Sequence, residues 1–220
     1  MKKAVLFDMD GTITLTERFH IQAFTELFAK EGIEYDPVAH MKVYAGAGSK
    51  LILKDYFAKH GRELSAEEIA HYVEVKRDLY NRIINENEIP FVKGVHEFVN
   101  HIESLGLKKI IATGNGDLNA VRYILRKINL DQHFPNIISI SEVAHGKPFP
   151  DVFLAACERL GVTPAECIVL EDSANGIQAA KSANIFSIAF ETTTKKADLL
   201  AAGASLVLPD YTFINDAMLA

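Results

Sequence analysis

Ala4-Val5-Leu6-Phe7-Asp8-Met9-Asp10-Gly11-Thr12 joins a short apolar run to two aspartates one residue apart, followed by glycine and threonine. Such a run suits a buried strand. Carboxylates at the mouth of a hydrophobic strand are costly unless a cation or a substrate uses them. Asp8 and Asp10 suit a hard metal such as Mg²⁺, and one of them could also attack an electrophile. Gly11 lets the chain turn tightly beside a ligand.

Five more β-rich runs follow, at 109–112, 137–140, 167–170, 185–189 and 206–208. Apolar residues at helical spacing fill 95–105, 118–128, 151–160, 176–183 and 197–202. Gly106, Gly161 and Gly203 sit where helices end, and Pro150 and Pro164 suit helix starts or turns. Strands alternating with helices predict an α/β fold, a doubly wound, Rossmann-like parallel sheet.

One gap breaks the alternation. Between Asp10 and Pro90 no strand pattern occurs, while 16–30, 50–59 and 66–85 read as helices. Phe19, Ala23, Phe24, Leu27 and Phe28 form an apolar stripe on the first, and Ser65-Ala66-Glu67-Glu68 matches a capping box at the start of the third. A structureless loop of that length does not fit a compact domain. The expectation is a catalytic core at 1–14 and 89–220, with a helical cap at 15–88 that leaves and re-enters at the catalytic end and can close as a lid.

The 220 residues carry a net charge of −6 and are 49% hydrophobic, enough for a substantial core with no hint of nucleic-acid binding. No run approaches the roughly 20 apolar residues that cross a bilayer. The apolar stretch ending at Asp8 is too short for a secretory signal. A cytoplasmic protein and, by default, a monomer are expected, with no membrane partner. Cys157 and Cys167 lie in apolar patterns and read as buried free thiols. His40, His60, His71, His96, His101 and His133 read as surface or helix residues.

In an open α/β sheet, ligands gather beyond the carboxyl ends of the strands. Asp8 and Asp10 follow the first run, Thr113-Gly114-Asn115 the second, Lys147 the third, and Glu171-Asp172 the fourth. Together they form equipment for phosphoryl transfer, where catalysis is positioning plus charge stabilisation. Asp8 is the expected nucleophile and Asp10 the general acid and base. Asp8, Asp10, Glu171 and Asp172 form the expected metal set, with Asp10 off the metal by its side chain and Glu171 a ligand or a supporting group. Thr113 and the N–H groups after it would bind phosphoryl oxygens, and Lys147 would neutralise charge on phosphate and Asp8. His20, on the first cap helix, falls near Asp10. Gly46-Ala47-Gly48-Ser49-Lys50 reads as a specificity loop, with Lys50 reaching the far end of the substrate. Gly11, His20, Gly46, Lys50, Gly114 and Asn115 are thus the candidate substrate contacts.

Other readings of these motifs fail on detail. A calcium loop centred on Gly11 would put Leu6 at its first ligand position. Gly114-x-Gly116 lacks the third glycine of a dinucleotide fingerprint. Gly146-Lys147 lacks the earlier glycine and the following Ser/Thr of a P-loop. Asp172 could also serve as a helix cap.

Four motifs in order resemble the haloacid dehalogenase superfamily of phosphohydrolases across essentially the whole chain. Asp8-Met9-Asp10-Gly11-Thr12 is similar to its first motif, Thr113 to the second, Lys147 in Gly146-Lys147-Pro148-Phe149-Pro150-Asp151 to the third, and Val169-Leu170-Glu171-Asp172-Ser173-Ala174-Asn175-Gly176-Ile177 to the fourth. The resemblance implies Mg²⁺, an aspartyl-phosphate intermediate and a small helical cap after the first strand, as in β-phosphoglucomutase-like and phosphoglycolate-phosphatase-like members. Aspartate at the second acidic position favours phosphate chemistry over dehalogenation. Gly114-Asn115 departs from the serine and the asparagine or arginine that many relatives carry there. The expected activity is a phosphatase on a small phosphorylated metabolite. A sugar phosphomutase is the alternative, and a phospho-accepting signalling module is a third reading that an inserted lid disfavours.

Overall fold

The computed structural model of the chain describes residues 2–44 and 47–220. Six strands form one parallel sheet: β1 (Ala4–Phe7), β2 (Lys108–Thr113), β3 (Ile137–Ser139), β4 (Cys167–Glu171), β5 (Phe186–Phe190) and β6 (Leu206–Leu208). Their order is β3-β2-β1-β4-β5-β6. The register sets Phe7 beside Ile111 of β2 and Leu170 of β4, so β4 ends within a residue of β1 while β2 runs two residues further, to Thr113.

Both faces of the sheet are covered, as a parallel sheet requires. Val5 and Phe7 point into a core built with α5 (Val95–Ser104) and α6 (Leu118–Lys127), whereas Ala4 and Leu6 point into a second core with α7 (Asp151–Leu160) and α8 (Ala174–Ser182). This alternation of side chains about a pleated strand makes the fold doubly wound. The chain steps from β1 outward to β3 and then returns to β4 on the other side of β1. The resulting crevice at the carboxyl ends of β1 and β4 is the ligand position of such sheets.

Four helices lie between β1 and α5: α1 (Glu17–Lys30), α2 (Pro37–Ala39), α3 (Ser49–Lys59) and α4 (Ala66–Glu86). They share an apolar cluster of their own, including Phe24, Phe28, Tyr35, Phe57 and Tyr72, while Phe19, Tyr80 and Ile83 join the core of the sheet. The outgoing and returning strands of this insertion lie side by side: Leu15 N donates to Pro90 O at 2.8 Å and Val92 N to Ile13 O at 2.9 Å. The capping box at Ser65 forms, with the Ser65 and Glu68 side chains each capping the other's N–H.

Two sequence readings need correction. His40 is buried, in a wide helical turn from His40 to Tyr44, because its ring is held between the Glu17 carboxylate and the Tyr35 hydroxyl. Asp172 does not cap α8. Ser173 does, accepting from Gly176 N at 3.0 Å. Cys157 and Cys167 are buried free thiols, as expected. Among the described residues no helix is long and apolar enough to cross a membrane.

Candidate active site

Asp8 leaves β1 still paired with β4, its N–H donating to Leu170 O at 2.9 Å. That pairing brings its carboxylate alongside Glu171 at the end of β4. Lys147 arrives from the loop after β3 and bridges them, its ammonium bonded to Asp8 Oδ1 and, at 2.6 Å, to Glu171 Oε1. Burial works against the ammonium, but Asp8 and Glu171 hold it protonated above the usual lysine range.

The two acids of β4's end differ in how they are used. Glu171 Oε2 accepts from the backbone N–H groups of Asp172 and Ser173, each at 2.8 Å, and from the Ser173 hydroxyl at 2.9 Å. With Lys147 on Oε1, Glu171 is engaged at both oxygens, and it fastens both the β4–α8 turn and the lysine. Gly176 is required there, because a Cβ would lie 1.8 Å from Glu171 Oε1. Asp172 instead receives hydroxyls, from Thr12 at 3.2 Å and from Thr193. Gly11 has φ +89° and would place a Cβ 2.0 Å from Asp172 Oδ2, so only glycine lets the two motifs meet.

Asp8, Glu171 and Asp172 are buried and carry oxygens within 4.8 Å of one another. Burial, then mutual repulsion, raises Asp172 well above the usual carboxylate range. Asp8 is raised too, chiefly by burial, with Lys147 opposing. Three buried carboxylates against one ammonium leave negative charge for a divalent cation to balance. All-oxygen donors suit Mg²⁺. The residues therefore fit a hard cation.

Asp10 stands outside that cluster. Its carboxylate accepts from the Thr16 hydroxyl and lies 3.5 Å from His20 Nε2. Burial pushes its pKa up, but His20, Thr16 and the Lys76 ammonium outweigh burial and hold it below the ordinary value. His20 stacks on Tyr80 at 4.1 Å and meets Lys76 through Nδ1. Lys76 and Tyr80 lie one turn apart on α4, so one face of that helix holds the surroundings of Asp10.

Thr113 is buried at the end of β2, its hydroxyl accepting from Asn115 N at 3.0 Å. A cavity of about 620 Å³ opens above these groups, between the strand ends and the inserted helices. Asp8, Asp10, His20, Gly114, Asn115 and Lys147 line it, with Lys50 on the side of the inserted helices. Gly46 lies outside the described residues. A more open depression beside Pro148, Gln178 and Lys181 contains none of the acids.

A family model described as haloacid dehalogenase-like hydrolase matches residues 2–184. The chain belongs to the haloacid dehalogenase-like hydrolases. This hydrolase is 28% identical to a phosphorylated carbohydrates phosphatase of Thermotoga maritima, over 94% of its length and 95% of the relative's. The structure of a β-phosphoglucomutase from Clostridium difficile superposes with TM-score 0.89 at 25% identity, covering 99% of this chain and 96% of the other. CbbY from Rhodobacter sphaeroides, solved with xylulose-1,5-bisphosphate, superposes with TM-score 0.87 at 28% identity, covering 100% and 99%. The family and its phosphatase-named relative support the phosphoric monoester hydrolase class expected from the motifs.

Sequence reading of this hydrolase missed Thr16, Lys76 and Tyr80 beside Asp10, and Thr12 and Thr193 beside Asp172. Thr12 and Thr16 adjoin the first motif and were open to suspicion. Lys76 lies in an amphipathic helix 56 positions from His20 and carries no local signal of the pairing.

Proposed function

We propose that this hydrolase is a Mg²⁺-dependent phosphatase of a small phosphorylated metabolite, acting through an aspartyl phosphate on Asp8. The observation that carries the reading is the separation of two aspartates of one motif. Asp8 is buried against Lys147 and the other acids, while Asp10 is held apart by Thr16 and His20.

The phosphoryl group would sit at the cavity floor, with Lys147, the Thr113 hydroxyl and the Gly114 N–H meeting its oxygens, and the Asn115 N–H holding the Thr113 hydroxyl in place. Asp8 attacks phosphorus and the ester P–O bond breaks, while Asp10, having taken up a proton from the incoming phosphate monoanion, gives it to the departing oxygen. Asp10 then takes a proton from water as that water attacks the phosphoenzyme, releasing inorganic phosphate and restoring Asp8. When bound, Mg²⁺ would be held by Asp8 and Asp172 and would offset repulsion between phosphate and Asp8. Glu171 acts by holding Lys147. The helices of 15–88 would form the cap that closes over the site, with His20 and Lys50 on the substrate and Gly11 beside it. We place the enzyme in the cytoplasm as a monomer.

The likeness to a β-phosphoglucomutase favours a second reading, a phosphomutase. That reading requires isomer formation that depends on a bisphosphate.

The test is phosphate release from a panel of phosphorylated sugars, with Mg²⁺ and after its removal by chelation. Turnover should vanish on chelation and return with Mg²⁺. Asp8→Asn should fall by about 10³-fold or more while keeping the wild-type circular dichroism. Substantial residual activity of Asp8→Asn would remove Asp8 as the nucleophile.

A further inference from the structure

We propose that this hydrolase selects phosphate monoesters whose far end is uncharged and hydroxylated, and discriminates against bisphosphates. The proposal rests on the phosphatase reading and concerns the cavity wall remote from Asp8.

Beyond Asp8 and Lys147, the cavity is lined by four acids, Asp10, Glu17, Glu74 and Asp117, and by three strong bases, Lys50, Lys76 and Arg77. Two of the bases are committed. Lys76 is buried against His20, facing Asp10. Arg77 of α4 donates to Glu74 and lies 3.8 Å from Asp117 Oδ2. The histidines are engaged as well, His40 with Glu17 and His145 with Asp151. Lys50 alone among these bases has neither a side-chain hydrogen bond nor an ion pair among the described residues, and it is exposed.

A second phosphate brings roughly two negative charges and three acceptor oxygens, and protein sites meet such groups with clustered or bidentate cations. Here it would find one exposed ammonium, which is worth little alone. To engage Arg77 it would have to displace Glu74 and approach Asp117. Two carboxylates beside Arg77, the exposed Glu74 and the half-buried Asp117, oppose a second anion as well as fail to attract it. Asp117 is firmly placed for this, because its other oxygen caps α6, accepting from Asn119 N at 3.0 Å and Ala120 N at 3.1 Å.

The rest of the wall is neutral. Ser49, Asn115 and Ser141 offer uncharged polar groups, and Val73 and Phe149 offer apolar surface. That composition suits the hydroxyls and carbon frame of a neutral leaving group.

The test compares fructose 1-phosphate with fructose 1,6-bisphosphate, and glucose 6-phosphate with glucose 1,6-bisphosphate. In each pair turned over, kcat/KM should favour the monophosphate by about tenfold or more at low salt. The gap should narrow as ionic strength approaches about 1 M. Asp117→Asn keeps a good helix cap while removing the charge. Combined with Glu74→Gln, it should free Arg77 and reduce the gap severalfold. Equal or better use of the bisphosphates, or a gap untouched by the double variant, overturns the proposal. Should no ester be turned over, calorimetric binding of the same pairs to Asp8→Asn decides it separately. Tighter monophosphate binding then keeps the selectivity while the phosphatase reading falls, and tighter bisphosphate binding ends the selectivity.

Discussion

Asp8 and Asp10 are the same residue type two positions apart, yet their surroundings drive them in opposite directions. Asp8 faces acids and is pushed up by burial, whereas Asp10 faces His20, Thr16 and Lys76 and is held down. Held down, Asp10 is ionised in the empty site and ready as the base of the second step, and the proton it gives in the first is taken up with the bound substrate. Asp10→Asn should therefore lower turnover of an alkyl phosphate by about 10²–10⁴-fold. With an aryl phosphate, whose leaving group needs no proton, the variant should still release one equivalent of phenol in a burst and then stall. A stopped-flow trace without that burst would contradict the division of roles. The acids themselves were legible, since Asp8, Asp10, Glu171 and Asp172 each follow an apolar run. Their use was not, because only the folded turn shows Glu171 holding Lys147 and the N–H groups of Asp172 and Ser173 while the Thr12 and Thr193 hydroxyls meet Asp172.

Among the elements, α4 does the most to join the inserted helices to the sheet. It supplies Lys76, Arg77 and Tyr80 to the cavity, and its last turn is tied to the core by Lys127 of α6. The Lys127 ammonium reaches the carbonyls of Ile84 and Asn87, each at 2.9 Å. A cation on the unpaired carbonyls at a helix end is favourable on both hydrogen-bond and dipole grounds. Lys127→Met should cost about 1–2 kcal/mol. Hydrogen exchange should quicken at Ile83–Asn87 before it does in β1 or β4, and uniform protection would refute the tie. The start of α4 was readable in its capping box. The turn at 37–44 was not, because it is short and the rings around His40, Phe24, Tyr35 and Tyr44, come from separate segments with no common period.

For the whole molecule, Lys76 sets a pH dependence. Burial lowers its pKa from 10.5 to about 8, with Asp10 and Glu17 opposing. Between those values the unfolded chain binds more protons than the folded one, so this residue makes stability rise with pH across that window. The cost of burying the charged form is complete below about pH 8. Relative to Lys76→Met, the wild type should gain on the order of 1 kcal/mol per pH unit between those pH values in urea unfolding. A constant difference would show that Lys76 keeps its proton throughout. The sequence by itself determined the strands, the helices, the sheet class and the acids at the strand ends, because these follow from local period and from motifs within a few residues. Only the tertiary structure decided which acid holds Lys147 and the β4–α8 turn, which lysine reaches Asp10 and how the charges of the cavity wall cancel. Those outcomes depend on side chains far apart in the chain, whose energies are set by burial and by the partners that folding brings within reach.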